Sequence, residues 1–253
     1  MVEDRYFLRL QYHGAAFHGW QKQPNALAVQ AVLEKALSTL LGKPTEVIGA
    51  GRTDTGVHAA EMFAHFDAPE GLDLEQMTFR LNAFLPESIA ILAVHPVVKE
   101  AHARFSALAR TYEYHIHWRK DVFLNDRSWY VRQRPDLEAL QAAASLMLQF
   151  DEFSAFARSN DAAAHHRCDL MQSVWEHQND RSLYRVKANR FLRNMVRAMV
   201  GTMMEVGRGK MPLEQLSAII ASGDRKQAGE SAPPQGLFLT RVEYPEAIFS
   251  CQT

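Results

Sequence analysis

The chain has 253 residues, 47% of them hydrophobic and 23% charged, with 28 Lys and Arg against 29 Asp and Glu for a formal net charge of -1. These proportions exclude a disordered or low-complexity chain, and a fold of this length hides roughly 70–75% of its extended surface, enough for one large core or two modest ones. Global charge points to no partner, so any surface for nucleic acid must be a local patch.

The opening MVEDRYFLRLQY is acidic and then alternates, with neither the basic nor the apolar region of a signal peptide. No apolar run reaches the ~20 residues that a membrane helix needs. Cys168 and Cys251 form no metal knuckle or disulfide framework. A soluble protein of a reducing compartment, most simply cytoplasmic and without a membrane partner, is the expectation.

In chain order, alternation predicts strands over 5–12, 45–50, 62–67, 89–98, 111–118, 171–178, 183–188 and 237–244. Helical spacing predicts helices over 29–41, 74–85, 136–148, 191–206 and 213–222. In the first helix Val29, Val32, Leu33, Ala36, Leu37 and Leu40 form one apolar face. Strands arriving in adjacent runs or around single helices favour an α+β fold with a largely antiparallel sheet. Each half offers strands, a long helix and a shorter one. The expectation is two similar α/β lobes, 1–105 and 106–253, with a cleft between them. The stretches 120–127 and 223–236 read as polar loops.

Three stretches carry candidate chemistry. In GAGRTDTGVHA (49–59) three glycines crowd Arg52, Thr53 and Asp54 after a strand. A lone carboxylate on such a loop suits a nucleophile or base, and equally an Asx-turn bonding its own backbone. In ANRFLRNMVRAMVG (188–201) Arg190, Arg193 and Arg197 share one side of the predicted helix, and Gly201 marks a close approach. From Arg181 to Lys210 there are eight basic residues and one acid, Glu205. That patch suits phosphate, or is simply a solvated helix face. In RTYEYHIHW (110–118) Tyr112, Tyr114, Ile116 and Trp118 alternate onto one strand face, either as core or with Tyr112 as a ring on which a base stacks. His165, His166 and Cys168, with His177, fit no usual metal spacing, so no metal is expected.

GAGRTDTGVHA, HARFSALARTYEY, ANRFLRNMVRAMVGTMMEVGRG and APPQGLFLTRVEYP, in this order, resemble the tRNA pseudouridine synthase A family. So do the Tyr12-His13-Gly14 opening with His18-Gly19-Trp20-Gln21, and the Leu81-Asn82 and Leu85-Pro86 pairs. The likeness spans nearly the whole chain, departing at Thr55, at Ala101 and over 150–156. It implies isomerisation of uridine to pseudouridine at positions 38–40 of the tRNA anticodon stem-loop, on a flipped-out base, without cofactor. It implies Asp54 as the catalytic carboxylate, Arg197 as its partner and Tyr112 as the active-site tyrosine. Arg52 would help to extrude the nucleotide and Leu237 would line the base pocket, while from the basic run itself Arg190, Arg193 and Lys210 are the candidates to meet phosphates. It further implies tRNA as partner and a homodimer. A non-catalytic tRNA-binding module and a nucleoside hydrolase are the rivals. Retaining hydrolysis would use a second carboxylate ~5 Å away, and no partner acid stands beside Asp54 in the sequence.

Overall fold

The computed structural model describes residues 3–158 and 165–249. The fold is α+β with mostly antiparallel strand pairing, as the alternation predicts. Contacts group the chain into two compact units, 1–108 with 239–253, and 109–238. The last strand begins in the second unit with Leu237 and Phe238 and from Leu239 on is part of the first.

In the first unit, β1 (Glu3–Tyr12) runs antiparallel between β3 (His58–Pro69) and β4 (Ile89–Val97). The short β2 (Ile48–Gly49) pairs with β3, and β9 (Leu237–Glu243) lies beside it. Period-two burial puts Tyr6, Leu8, Leu10 and Tyr12 on one buried face of β1. On the other face Phe7 meets Tyr244 edge-on at 5.2 Å and Phe249 at 6.1 Å. Helix α1 (Val29–Leu41) buries Val29, Leu33, Ala36 and Leu37, while Val32 and Leu40 flank that stripe half-buried. Helix α2 (Leu74–Phe84) packs on β4, its start capped by Asp73, whose side chain accepts from the Gln76 N–H.

In the second unit, β8 (Arg181–Ala188) runs antiparallel between β5 (Ala109–His117) and β7 (Leu170–Gln178). A two-residue strand, β6 (Trp129–Tyr130), pairs in parallel with Ile116 and His117. It is too short to show any alternation, so the sequence gives no sign of it. Helices α3 (Leu137–Met147), α4 (Met195–Gly207) and α5 (Leu213–Ser222) pack together, with α3 against β7. Asp136 caps α3 by accepting from the N–H groups of Glu138 and Ala139.

The helix predicted over 191–206 is corrected at its start. Asn194 takes a left-handed conformation, φ 67°, and α4 begins only at Met195. Every residue of α4 except Arg197 and Glu205 is buried. It is a core helix with two polar interruptions and has no solvated basic face. Among the described residues no helix is long and apolar enough to cross a membrane.

Candidate functional site

Asp54 lies in the loop from β2 to β3, and the segment joining β1 to α1 is folded around that loop. The Trp20 N–H donates to the Thr53 carbonyl at 3.2 Å, and the Gly56 N–H donates to the Phe17 carbonyl at 3.3 Å. The Gly14 N–H donates to His58 Nδ1 at 3.0 Å. Below them, the hydroxyls of Tyr12 and Thr53 share a buried hydrogen bond of 2.8 Å. The loop turns back on itself where the Val57 N–H donates to the Asp54 carbonyl at 3.2 Å, with Gly56 at φ 77°. Gly14 is required by proximity, since a Cβ there would lie 2.0 Å from the Val57 carbonyl oxygen. Thr53 is buried, Asp54 half-buried, and Arg52 and Thr55 exposed. Main chain on both sides of Asp54 is therefore fixed, and a short carboxylate on a fixed backbone has few rotamers left to lose when it engages a reacting group.

In the second unit the aromatic stripe divides. Tyr114 and Ile116 are core residues, whereas Tyr112 is half-buried and meets Phe191 edge-on at 5.1 Å. The Tyr114 hydroxyl donates to the Pro233 carbonyl at 2.7 Å. Burial holds that hydroxyl well above the ordinary tyrosine range, against a smaller opposing pull from the Arg197 charge, so it stays a donor. Arg197 Nε donates to the Ala232 carbonyl at 2.7 Å, and the Ala232 N–H donates back to the Arg197 carbonyl at 2.9 Å. The segment 229–233 is thus laced to α4 and β5 at once, and it leads through the turn Pro234–Gly236 to the buried Leu237.

Gly201 is explained by the same segment. A Cβ there would lie 1.7 Å from the Glu230 carbonyl oxygen, so the close approach marked in the sequence is made by the chain itself. Thr202 adds its hydroxyl, which accepts from the Gly229 N–H at 3.0 Å.

The basic residues do not share one helix side. Arg190 and Arg193 precede α4, so the helical spacing that placed them with Arg197 does not apply. Arg190 is half-buried, its Nη1 3.1 Å from His165 Nε2, and Arg193 is exposed. Lys210 is exposed beyond the helix, 3.7 Å from Glu205, which also pairs with Arg208 at 3.1 Å. His166 pairs with Ser154 through Nδ1 at 2.8 Å. Burial pushes the Cys168 thiol up to about 12, leaving it neither nucleophile nor ready metal ligand. Among the described residues no three His, Cys, Asp or Glu side chains gather as a metal site. Cys251 lies outside the described residues.

Sequence reasoning assigned no role to Tyr12, Phe191 or the carbonyl of Ala232. Tyr12 and Phe191 stand inside motifs of their own, 41 and 79 residues from Thr53 and Tyr112, which they support. Ala232 lies 35 residues from Arg197, and a main-chain acceptor leaves no mark in residue identity.

The sequence model of a family described as tRNA pseudouridine synthase matches residues 10–106 and 150–245. Of the candidate site residues only Tyr112 falls outside those segments. The chain is similar to proteins described as tRNA pseudouridine synthase A from three bacteria. The Bacteroides thetaiotaomicron protein is 44% identical over 253 residues, covering 99% of this chain and 94% of that one. The Bacteroides fragilis protein is 43% identical, covering 98% and 100%. The Parabacteroides distasonis protein is 42% identical, covering 97% and 98%.

Proposed function

Since the chain belongs to the tRNA pseudouridine synthase family, and is thereby an isomerase that makes pseudouridine in tRNA, we propose that it acts at positions 38–40 of the anticodon stem-loop, with Asp54 as the catalytic carboxylate. The reaction breaks the bond between C1′ and N1 of uridine and forms one between C1′ and C5. The C5 proton leaves and N1 ends protonated. No electrons are gained or lost, so the chemistry calls for no redox cofactor.

The observation that carries this reading is the clamped turn, which holds Asp54 half-buried on main chain fixed by the opening segment. A stacked uridine presents neither its C1′ nor its C6 to such a side chain, so the nucleotide must leave the stack. In this reading exposed Arg52 assists extrusion, the half-buried ring of Tyr112 stacks against the uracil, and Leu237 lines the base pocket. Arg197, whose Nε donates to the Ala232 carbonyl, is the proposed partner of the carboxylate, since a guanidinium supports its ionisation and orientation. Arg190, Arg193 and Lys210 meet phosphates. The same reading makes the protein a homodimer working in the cytoplasm. Attack on C1′, attack on C6 and removal of a sugar proton are each open to one carboxylate.

The test is tRNA labelled with tritium at uracil C5, with the label restricted to individual anticodon-stem positions. Label at 38–40 should pass to water, and Asp54→Asn should abolish release while tRNA binding persists, because phosphate contacts carry most affinity. Release from other positions, or by Asp54→Asn, would overturn the reading. Free uracil in solution would indicate hydrolysis, and tight binding without release a binding module.

A further inference from the structure

On the premise that tRNA is the substrate, we propose that the loop after β5 is a second RNA-binding surface, on which Phe123 and the cations Arg119, Lys120 and Arg132 engage the phosphodiester backbone and an accessible base of the tRNA body. β5 ends at His117, and the chain then forms the turn Val122–Leu124. That turn is built from both sides. The Asp121 carboxylate accepts from the Phe123 N–H at 3.0 Å, and Arg127 Nη2 donates to the Phe123 carbonyl at 2.8 Å. Yet the two apolar side chains it presents are 64% exposed at Val122 and 77% exposed at Phe123. A single exposed apolar side chain needs no explanation. Two on a fixed turn whose backbone and Asp121 are held by Arg127 and Arg181 form a surface with a definite chemistry.

The charge around the turn decides the class of partner. From 118 to 134 there are five cations and two acids. The facing turn adds Arg181 and Asp180, which pair with Asp121 at 2.9 Å and Arg119 at 3.8 Å. The local excess is three positive charges in a chain whose net charge is -1. These pairs are solvent-exposed, and such pairs exchange readily for a polyanion. Arg134 already lies over the Trp118 ring, 5.7 Å from its centre, a cation–π contact. A flat ring held out among cations is suited to stacking on a base while the cations follow the backbone.

The surface is separate from the Tyr112 ring. Trp118 stands six residues further along the strand direction, roughly 20 Å away. The nucleotides it meets are therefore different from the one stacked on Tyr112. It also lies in the 107–149 stretch, outside the two segments matched by the family's sequence model.

The test uses the full-length chain and an intact tRNA. An Arg119→Ala, Lys120→Ala and Arg132→Ala triple variant and a Phe123→Ala variant are compared with wild type after thermal melts establish that both fold. The triple variant should raise Kd on the order of tenfold and flatten the slope of log K against log salt by about two units. Phe123→Ala should raise Kd roughly fivefold or more and leave the slope unchanged. Single-turnover rates at saturating enzyme should match wild type in both. Unchanged Kd and slope in the triple variant would overturn the proposal. So would a shift from oligomer to monomer with wild-type tRNA affinity, which would assign the face to a contact between copies. A wild-type protein that neither bound tRNA nor released tritium would remove the functional reading itself, whereas active wild type with indifferent variants removes only this surface.

Discussion

The Asp54 loop and the Arg197 helix hold their side chains by opposite means. Around Asp54, main chain is held by main chain: N–H groups of Trp20, Gly56 and Val57 donate to loop or opening-segment carbonyls. At Arg197 the side chain is itself a tie, since its Nε is spent on the Ala232 carbonyl. A group that must react gains from a backbone fixed by bonds that do not use its side chain. A group that must present charge in one direction can surrender one donor to be aimed.

Substituting the two packing glycines tests this contrast most severely. Gly201→Ala and Gly14→Ala each place a Cβ within 2.0 Å of a backbone carbonyl oxygen. Each should cost about 3 kcal/mol of stability by denaturant unfolding. Their activities should part at low temperature, where both remain folded. Gly14→Ala shifts the Asp54 backbone and should reduce the single-turnover rate with little change in tRNA Kd. Gly201→Ala frees segment 229–233 and should weaken binding as well as rate. Identical profiles would erase the distinction between the two kinds of clamp.

Tyr12→Phe makes a finer cut. It removes one buried hydrogen bond beneath the loop and leaves the backbone bonds intact. Stability should fall by about 1–2 kcal/mol, and the rate should drop far less than for Gly14→Ala. A rate loss as large as that of Gly14→Ala would show that the hydroxyl pair, and not the backbone, positions Asp54.

The smallest effects belong to the basic residues outside α4. Alanine at Arg190, Arg193 or Lys210 should each flatten the salt dependence of tRNA binding by roughly one unit or less. Lys210, already facing Glu205, should change it least. Three unchanged slopes would remove these residues from the phosphate contacts.

Much of the fold was legible in residue order. The first and last helices were placed end to end by their apolar spacing, and the strands of both units by alternation, because burial on one face imposes a period that survives in the sequence. The strand predicted over 45–50 shrinks to Ile48–Gly49, since only those residues find ladder partners on β3. The basic run misled. Its arginines fall at helical spacing, but left-handed Asn194 delays the helix, and a helix buried nearly all round has no basic side.

What the sequence determined by itself is local or compositional: the α+β class, the glycine-flanked Arg-Thr-Asp turn and the motif order that marks the family. Each depends on residue types at short, fixed spacing. Tertiary structure alone decided that segment 13–28 clamps the Asp54 loop, that the carbonyl of Ala232 aims Arg197, and that Gly201 admits Glu230. Those contacts are made largely by main-chain atoms brought together across long stretches of chain. Every residue carries the same carbonyl and nearly every one the same N–H, so identity cannot announce which of them will meet.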